Sequence, residues 1–288
     1  MLVRLRFIAF SALAVMGATR VEAQPKPNWI AFETIDQSAL PIVRVWLNGT
    51  GAHRLVLDVG IPDVILDTTV VDGSGLKLVN HGELATIDYY GKKEKVPVSL
   101  LDELKVGGLT FQKVRTLLVY GEDGTGSGGL RSYGRIGRDV LEHLRLTVNY
   151  PRHLLYIEPS PGEVPEGGVT YKTAGHFLLI PVILAREGGD ERADLVLDTN
   201  TSETLLDRKW AAEKGFAPKK ATSTKIPRIQ IGSFSGREVP VQLGSMKELP
   251  YGGQAIGVIG ADMLLSLSVT YDFARDLIWF VSVKENPS

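Results

Sequence analysis

"LVLDVG" at residues 55–60 and "LVLDTN" at residues 195–200 share Leu-Val-Leu-Asp, 140 positions apart. Extending that shift lays "LVLDVGIPDVILD" over "LVLDTNTSETLLD" with six identities in thirteen. A shift of 123 lays "GRIGRDVLEHLRLTVNYPRHLLYI" over "GVIGADMLLSLSVTYDFARDLIWF" with nine in twenty-four. The two elements come in the same order in both halves, so the chain reads as two copies of one unit of roughly 120 residues. The Pro- and Gly-rich stretch "EPSPGEVPEGG" joins them. The expected boundaries are a first lobe over 24–158, a linker over 159–176 and a second lobe over 177–288.

Within each copy, short β-branched runs alternate with Gly, Pro, Asn and Asp. "LPIVRVWLNGTGAHRLVLD" predicts two strands around an Asn-Gly turn, and "FLLIPVILAREGGDERADLVLD" the same plan around Gly-Gly. Helical patterns are few and short: "GRDVLEHLRL", "DRKWAAEKGF" and "GADMLLSLSV" are the best. The fold class is therefore all-β with a few short helices. The copies differ in length. Asp58 to Gly137 spans 79 residues and Asp198 to Gly260 spans 62; with Gly107 laid over Gly232, fifteen of the seventeen extra residues fall before Gly107. They lie in or near "VNHGELATIDYYGKKEKVPV" and predict one additional hairpin, present only in the first copy.

The first 23 residues, "MLVRLRFIAFSALAVMGATRVEA", read as a secretory signal: a basic start at Arg4 and Arg6, an apolar run, and a small-residue site at Val21-Glu22-Ala23. The alternative is a retained anchor. Removing Arg4, Arg6, Arg20 and Glu22 changes 32 basic and 33 acidic residues to 29 and 32, a net charge of −3. No basic block argues for nucleic acid and no second apolar run for a membrane span. With no cysteine, an exported chain relies on packing rather than disulfides. The sequon Asn200-Thr201-Ser202 would put a glycan beside Asp198, which favours a bacterial periplasm or exterior.

Asp58 and Asp198 each end an apolar strand at the same register of the repeat. Related by an approximate twofold axis, two such residues can meet at the seam between copies. Carboxylates about 3 Å apart cannot both ionise comfortably, so one keeps a proton and the pair becomes an acid and a base together.

A hydrophobic-hydrophobic-Asp turn, followed 60 to 80 residues later by Ile136-Gly137-Arg138-Asp139 or Ile259-Gly260-Ala261-Asp262 and a short apolar helix, resembles the retropepsin-like (pepsin superfamily) aspartic peptidases. The resemblance covers about 40–158 and 177–282, as in a single-chain, two-lobed member, and implies two closed β-barrel lobes. It implies that Asp58 and Asp198 form the catalytic pair, that Ile136, Gly137, Ile259 and Gly260 support it, and that Gly60 and Thr199 orient the carboxylates. The extra hairpin becomes a flap with Tyr89, Tyr90 and Gly91 at its tip. Peptides or unfolded proteins are the implied substrates, with no cofactor or metal, and the internal pairing favours a monomer.

The family motif is Asp-Thr-Gly or Asp-Ser-Gly; this chain has Asp58-Val59-Gly60 and Asp198-Thr199-Asn200. Thr199 keeps the hydroxyl that grips across the seam in the family, whereas Val59 loses a hydrogen bond worth roughly 0.5–1.5 kcal/mol. Asn200 puts a Cβ where Gly is usual, although Asn enters the left-handed region more readily than most residues. These departures leave two readings, an aspartic endopeptidase or a non-catalytic protein that binds peptides in the same cleft.

Other matched acids have plainer explanations. Asp139 and Asp262 begin predicted helices, and Asp67 and Asp207 end strands. "GTGSGG" at 124–129 has nucleotide-loop spacing but no following amphipathic helix. No His-Glu-x-x-His or Gly-x-Ser-x-Gly motif is present.

Overall fold

A computed structural model describes residues 29–35, 38–74, 79–89, 92–120, 132–248 and 255–283. The signal-like segment, Tyr90, Gly91 and the loop at 124–129 lie outside them. Three sheets account for the architecture, and each follows from the repeat.

The first copy folds into an eight-stranded sheet in the order Glu33–Thr34, Pro41–Leu47, Thr50–Leu57, Gly134–Ile136, Val64–Asp67, Leu109–Val119, Lys92–Val106, Val79–Tyr89. Pairing of Pro41–Leu47 with Lys92–Val106 closes it. The second copy folds into a seven-stranded sheet in the order Lys172–Ala174, Phe177–Arg186, Gly189–Leu197, Gly257–Ile259, Leu205–Asp207, Phe234–Gly244, Ser223–Ile231. Phe177–Arg186 closes it against Ser223–Ile231. The strand with no counterpart is Val79–Tyr89, which forms an antiparallel hairpin with Lys92–Val106. It is the additional hairpin that the subtraction of spacings predicts.

Local chemistry sets the turns. Asn48 and Gly49 have φ of 47° and 78°, as a two-residue turn compatible with strand twist requires. In the second copy Arg186 pairs with Gly189. The turn is therefore Glu187-Gly188, one residue earlier than Gly-Gly. The helices are shorter than their patterns: Arg138–Leu141 is a single 3-10 turn, and Ala261–Leu264 one α-turn. In each case the remaining apolar residues enter a strand, Leu144–Asn149 or Leu267–Asp272. Arg208–Glu213 is helical as read, and Thr68–Ser74 is a helix in the equivalent place with no strong pattern of its own.

The third sheet joins the halves. Its order is Ile30–Ala31, Leu154–Pro159, Leu144–Asn149, Leu267–Asp272, Leu277–Ser282, Val169–Thr170. At its centre Leu146 pairs with Tyr271, Thr147 with Thr270 and Val148 with Val269. Thr147 and Thr270 are equivalent under the shift of 123, so the pseudo-twofold axis passes between them, where their hydroxyls are 2.9 Å apart. One continuous core runs beneath, containing Leu57, Val59, Ile136 and Leu146 from the first copy and Leu197, Ile259, Val269 and Tyr271 from the second.

The segment 159–176 is held along its length. Trp279 Nε1 donates to the Pro165 carbonyl at 3.1 Å, Ser233 N donates to Gly167 O at 3.0 Å, and two short strands form within it. Among the described residues, no helix is long and apolar enough to cross a membrane.

Candidate active site

The two Asp turns are built by the same backbone bonds. Asp58 N donates to Ile136 O at 3.0 Å, and Asp198 N to Ile259 O at 3.1 Å. Arg138 N reaches Ile61 O and Asp139 N reaches Pro62 O; in the second copy Ala261 N reaches Thr201 O and Asp262 N reaches Ser202 O. Every donor and acceptor corresponds under the shifts of 123 and 140, so the repeat read from the sequence holds bond by bond.

This frame explains Gly137 and Gly260. The strand carrying each Ile-Gly runs through the loop that follows the Asp. A Cβ on Gly137 would stand 2.3 Å from the carbonyl oxygens of Pro62 and Asp63, and one on Gly260 would stand 2.4 Å from the carbonyl carbon of Glu203. No side chain fits at either position.

The carboxylates are held differently. Asp58 is buried, 7% exposed. Its Oδ1 accepts from Gly60 N at 2.9 Å and its Oδ2 from Arg135 Nη1 at 2.8 Å. Asp198 is half-buried. Its Oδ1 accepts from Asn200 N at 2.8 Å and Thr201 N at 3.3 Å, and its Oδ2 from the Thr201 hydroxyl at 2.7 Å. Hydrogen bonds to both oxygens of each carboxylate fix its orientation.

The motif departures work out differently from the sequence expectation. The Thr199 hydroxyl makes no hydrogen bond among the described residues; the carbonyl of Thr199 instead accepts from Ala39 N of the first copy at 2.7 Å. Thr199 thus ties the seam through its backbone and does not orient the carboxylate. That task falls to Thr201, which the sequence reading passed over. A hydroxyl residue three positions after the Asp, present in one copy only, was the available signal.

Val59 joins the core at 5% exposure. Its carbonyl accepts a long 3.5 Å contact from Arg138 Nη1, and the same nitrogen donates at 2.6 Å to the carbonyl of His176, the last residue before the second lobe. Two backbone carbonyls at the seam are therefore tied by Ala39 and Arg138 where the family uses hydroxyls. Neither Gly60 nor Asn200 has a positive φ, so the turn does not demand a left-handed residue and the conformational objection to Asn200 falls away. Space is the real constraint in the first turn, where a Cβ on Gly60 would come 3.1 Å from Asp58 Oδ1.

The other matched acids are structural. Asp207 caps the helix Arg208–Glu213 by accepting from Trp210 N, and Asp67 accepts from Thr69 N. Asp262 lies in the first turn of Ala261–Leu264, whose N-cap is Gly260, and is not itself the cap; its Oδ1 accepts from Thr204 N, the Thr204 hydroxyl and Met263 N. Asp139 lies near Asp63. Burial first, and then the neighbouring Asp63, raise its pKa above the ordinary value. Of the predicted flap tip, Tyr89 is the last residue of its strand, and Tyr90 and Gly91 are outside the described residues.

With this geometry in hand, comparison with known proteins is informative. Residues 43–140 match the family model described as Aspartyl protease, about a third of the chain and all on the side of Asp58. No curated protein matches. Among solved structures, an aspartic proteinase from Irpex lacteus is similar with a TM-score of 0.59, covering 88% of this chain and 96% of that one at 12% identity. The chain thus resembles the pepsin-like aspartic peptidases, in fold over most of its length and in sequence over the segment that carries the first Asp turn.

Proposed function

We propose that this protein is an aspartic-type endopeptidase in which Asp58 and Asp198 act together on a bound water. The observation that carries the reading is the bond-for-bond equivalence of the two turns about an axis through Thr147 and Thr270. One carboxyl donates its proton to the peptide carbonyl oxygen. The ionised partner takes a proton from the water, whose oxygen attacks the carbonyl carbon directly, without a covalent enzyme intermediate. An extended peptide lies between the lobes under the hairpin formed by Val79–Tyr89 and Lys92–Val106, which closes over it and excludes water. The chain acts after export to a bacterial envelope, as a monomer, with Asp58 and Asp198 contributed by its own two halves.

Cleavage of an unstructured protein at acidic pH tests this. Asp58→Asn and Asp198→Asn should each reduce kcat by about 10²- to 10⁴-fold. Equal cleavage by all three proteins would discard the mechanism. A second reading, a cleft that binds peptides without cutting them, draws on the loss of both hydroxyl grips at Val59 and Thr199. It predicts peptide binding by calorimetry with no products, and a gain of hydrolysis on restoring Val59→Thr with Asn200→Gly.

A further inference from the structure

In the second copy, Asp198 Oδ2 is held by the Thr201 hydroxyl. The first copy has Ile61 at the equivalent place, a side chain without a donor that packs beside Ile65, Val96 and Leu117. Asp58 Oδ2 is held instead by Arg135. Under the shift of 123, Arg135 corresponds to Val258, which is fully buried among Leu179, Val196 and Met246. The two copies have therefore made opposite choices at two positions: Ile with Arg in the first, Thr with Val in the second. Neither copy combines Ile with Val, which would leave Oδ2 of its Asp without either donor.

Position explains why an arginine can serve here. Arg135 lies on the three-residue strand Gly134–Ile136, paired on one side with Val56 and on the other with Ile65. The next residue, Ile136, receives the Asp58 amide. Because side chains alternate along a strand, Ile136 enters the core while Arg135 turns to the opposite face and reaches Asp58. Asp58 follows the neighbouring strand two residues beyond Val56, the partner of Arg135, so carboxylate and donor lie on the same side of one ladder.

We propose that Arg135 is the positioning residue for Asp58, replacing across the chain the hydroxyl that the second copy supplies from its own turn. This rests on the peptidase reading for its catalytic consequence, though not for the coupling itself. Oriented by the Gly60 amide on one oxygen and by the guanidinium on the other, Asp58 is held to the geometry that the attacking water needs. Loss of the guanidinium frees the carboxylate to rotate without removing anything that binds peptide.

The experiment transplants the second copy's solution into the first. Arg135→Val should lower kcat on an unstructured peptide by on the order of 10²-fold, as a misplaced catalytic group does, with KM little changed. Adding Ile61→Thr to Arg135→Val should recover most of the loss. An unchanged kcat in Arg135→Val, or a folded double variant with no recovery, overturns the proposal. Thermal unfolding of wild type, Arg135→Val, Asp58→Asn and Asp58→Asn with Arg135→Val supplies a second readout independent of cleavage. Arg135→Val should lower Tm when Asp58 is present and have much less effect once Asp58 is Asn; an equal fall in both backgrounds overturns the proposal. Should wild type and Asp58→Asn cleave equally, the peptidase reading fails alone, and the thermal cycle still decides whether Arg135 acts through Asp58.

Discussion

In the first Asp turn the carboxylate Oδ2 meets a guanidinium from a neighbouring strand; in the second it meets a hydroxyl from three residues further along the same loop. Around this difference the bonds that tie each Ile-Gly strand to its Asp turn are equivalent, donor for donor. The frame is inflexible because Gly137 and Gly260 thread loops with no room for a Cβ. The side chains that satisfy the carboxylates are free to change, since any well-placed donor meets the same need. Duplicated units drift where chemistry can be substituted and stay alike where space cannot.

The largest test addresses the shared frame. Gly137→Ala and Gly260→Ala should each cost more than about 4 kcal/mol or prevent folding, the class of effect expected when a side chain must displace packed backbone. Tolerance of one and not the other, in urea unfolding, would break the equivalence.

Next comes the sheet that joins the halves, where Asn149 and Asp272 are equivalent. Asn149 accepts from Arg152 N. Asp272, wholly buried, accepts from Arg145 Nη2 at 3.1 Å, Arg275 Nη1 at 2.9 Å and the Ser160 hydroxyl at 2.8 Å. Asp272→Asn should cost about 3–5 kcal/mol at neutral pH, because it leaves Arg145 buried without its counter-charge. Burial by itself would raise the pKa of Asp272, but the bonds from Ser160, Arg145 and Arg275 outweigh it and hold the group below its ordinary value. Its stabilisation is accordingly complete above the ordinary carboxylate pKa of 3.8 and disappears as pH falls through the lower folded value. The gap between wild type and variant should close over that acid window; a gap independent of pH would contradict the assignment.

Within the turns, Thr201→Val should destabilise by about 0.5–1.5 kcal/mol through loss of its hydrogen bond to Asp198 Oδ2, and should lower kcat as well. Thr199→Val should be nearly silent in both measurements, because Val keeps the shape and the seam bond comes from the Thr199 carbonyl. The reverse ranking would restore the hydroxyl grip expected from the family motif.

The smallest contrast lies between Asp262 and Asp139. Asp262→Ala should cost about 1–2 kcal/mol by stranding the amide and hydroxyl of Thr204. Asp139→Asn should slightly stabilise the protein at neutral pH. The fold disfavours the ionised Asp139, first by burial and then by Asp63, and an amide escapes both. That gain should vanish on acidification below the ordinary carboxylate range, where Asp139 is neutral in both folded and unfolded chains.

Much of this frame was legible in the sequence because symmetry wrote it twice. Leu-Val-Leu-Asp and Ile-Gly located both turns, and unequal spacing located the extra hairpin. The helix patterns over-reached at Leu144–Asn149 and Leu267–Asp272 because short apolar runs fit either period, and pairing across the seam made them strands. Arg135 and Thr201 escaped notice for a different reason. Each differs between the copies, and a search for agreement passes over the places where two solutions diverge. The donor to Asp58 is also 77 residues away along the chain, a distance that local patterns do not span.

The pairing of Thr147 with Thr270 bears on how such a chain could be divided. Cutting near residue 160 would expose Leu144–Asn149 on one piece and Leu267–Asp272 on the other as bare sheet edges. Each edge is shaped to accept its own duplicate, since the rung on the axis joins threonine to threonine. Separated halves would thus be expected to couple with themselves as well as with each other, reproducing with two short polypeptides the arrangement that a single gene now encodes.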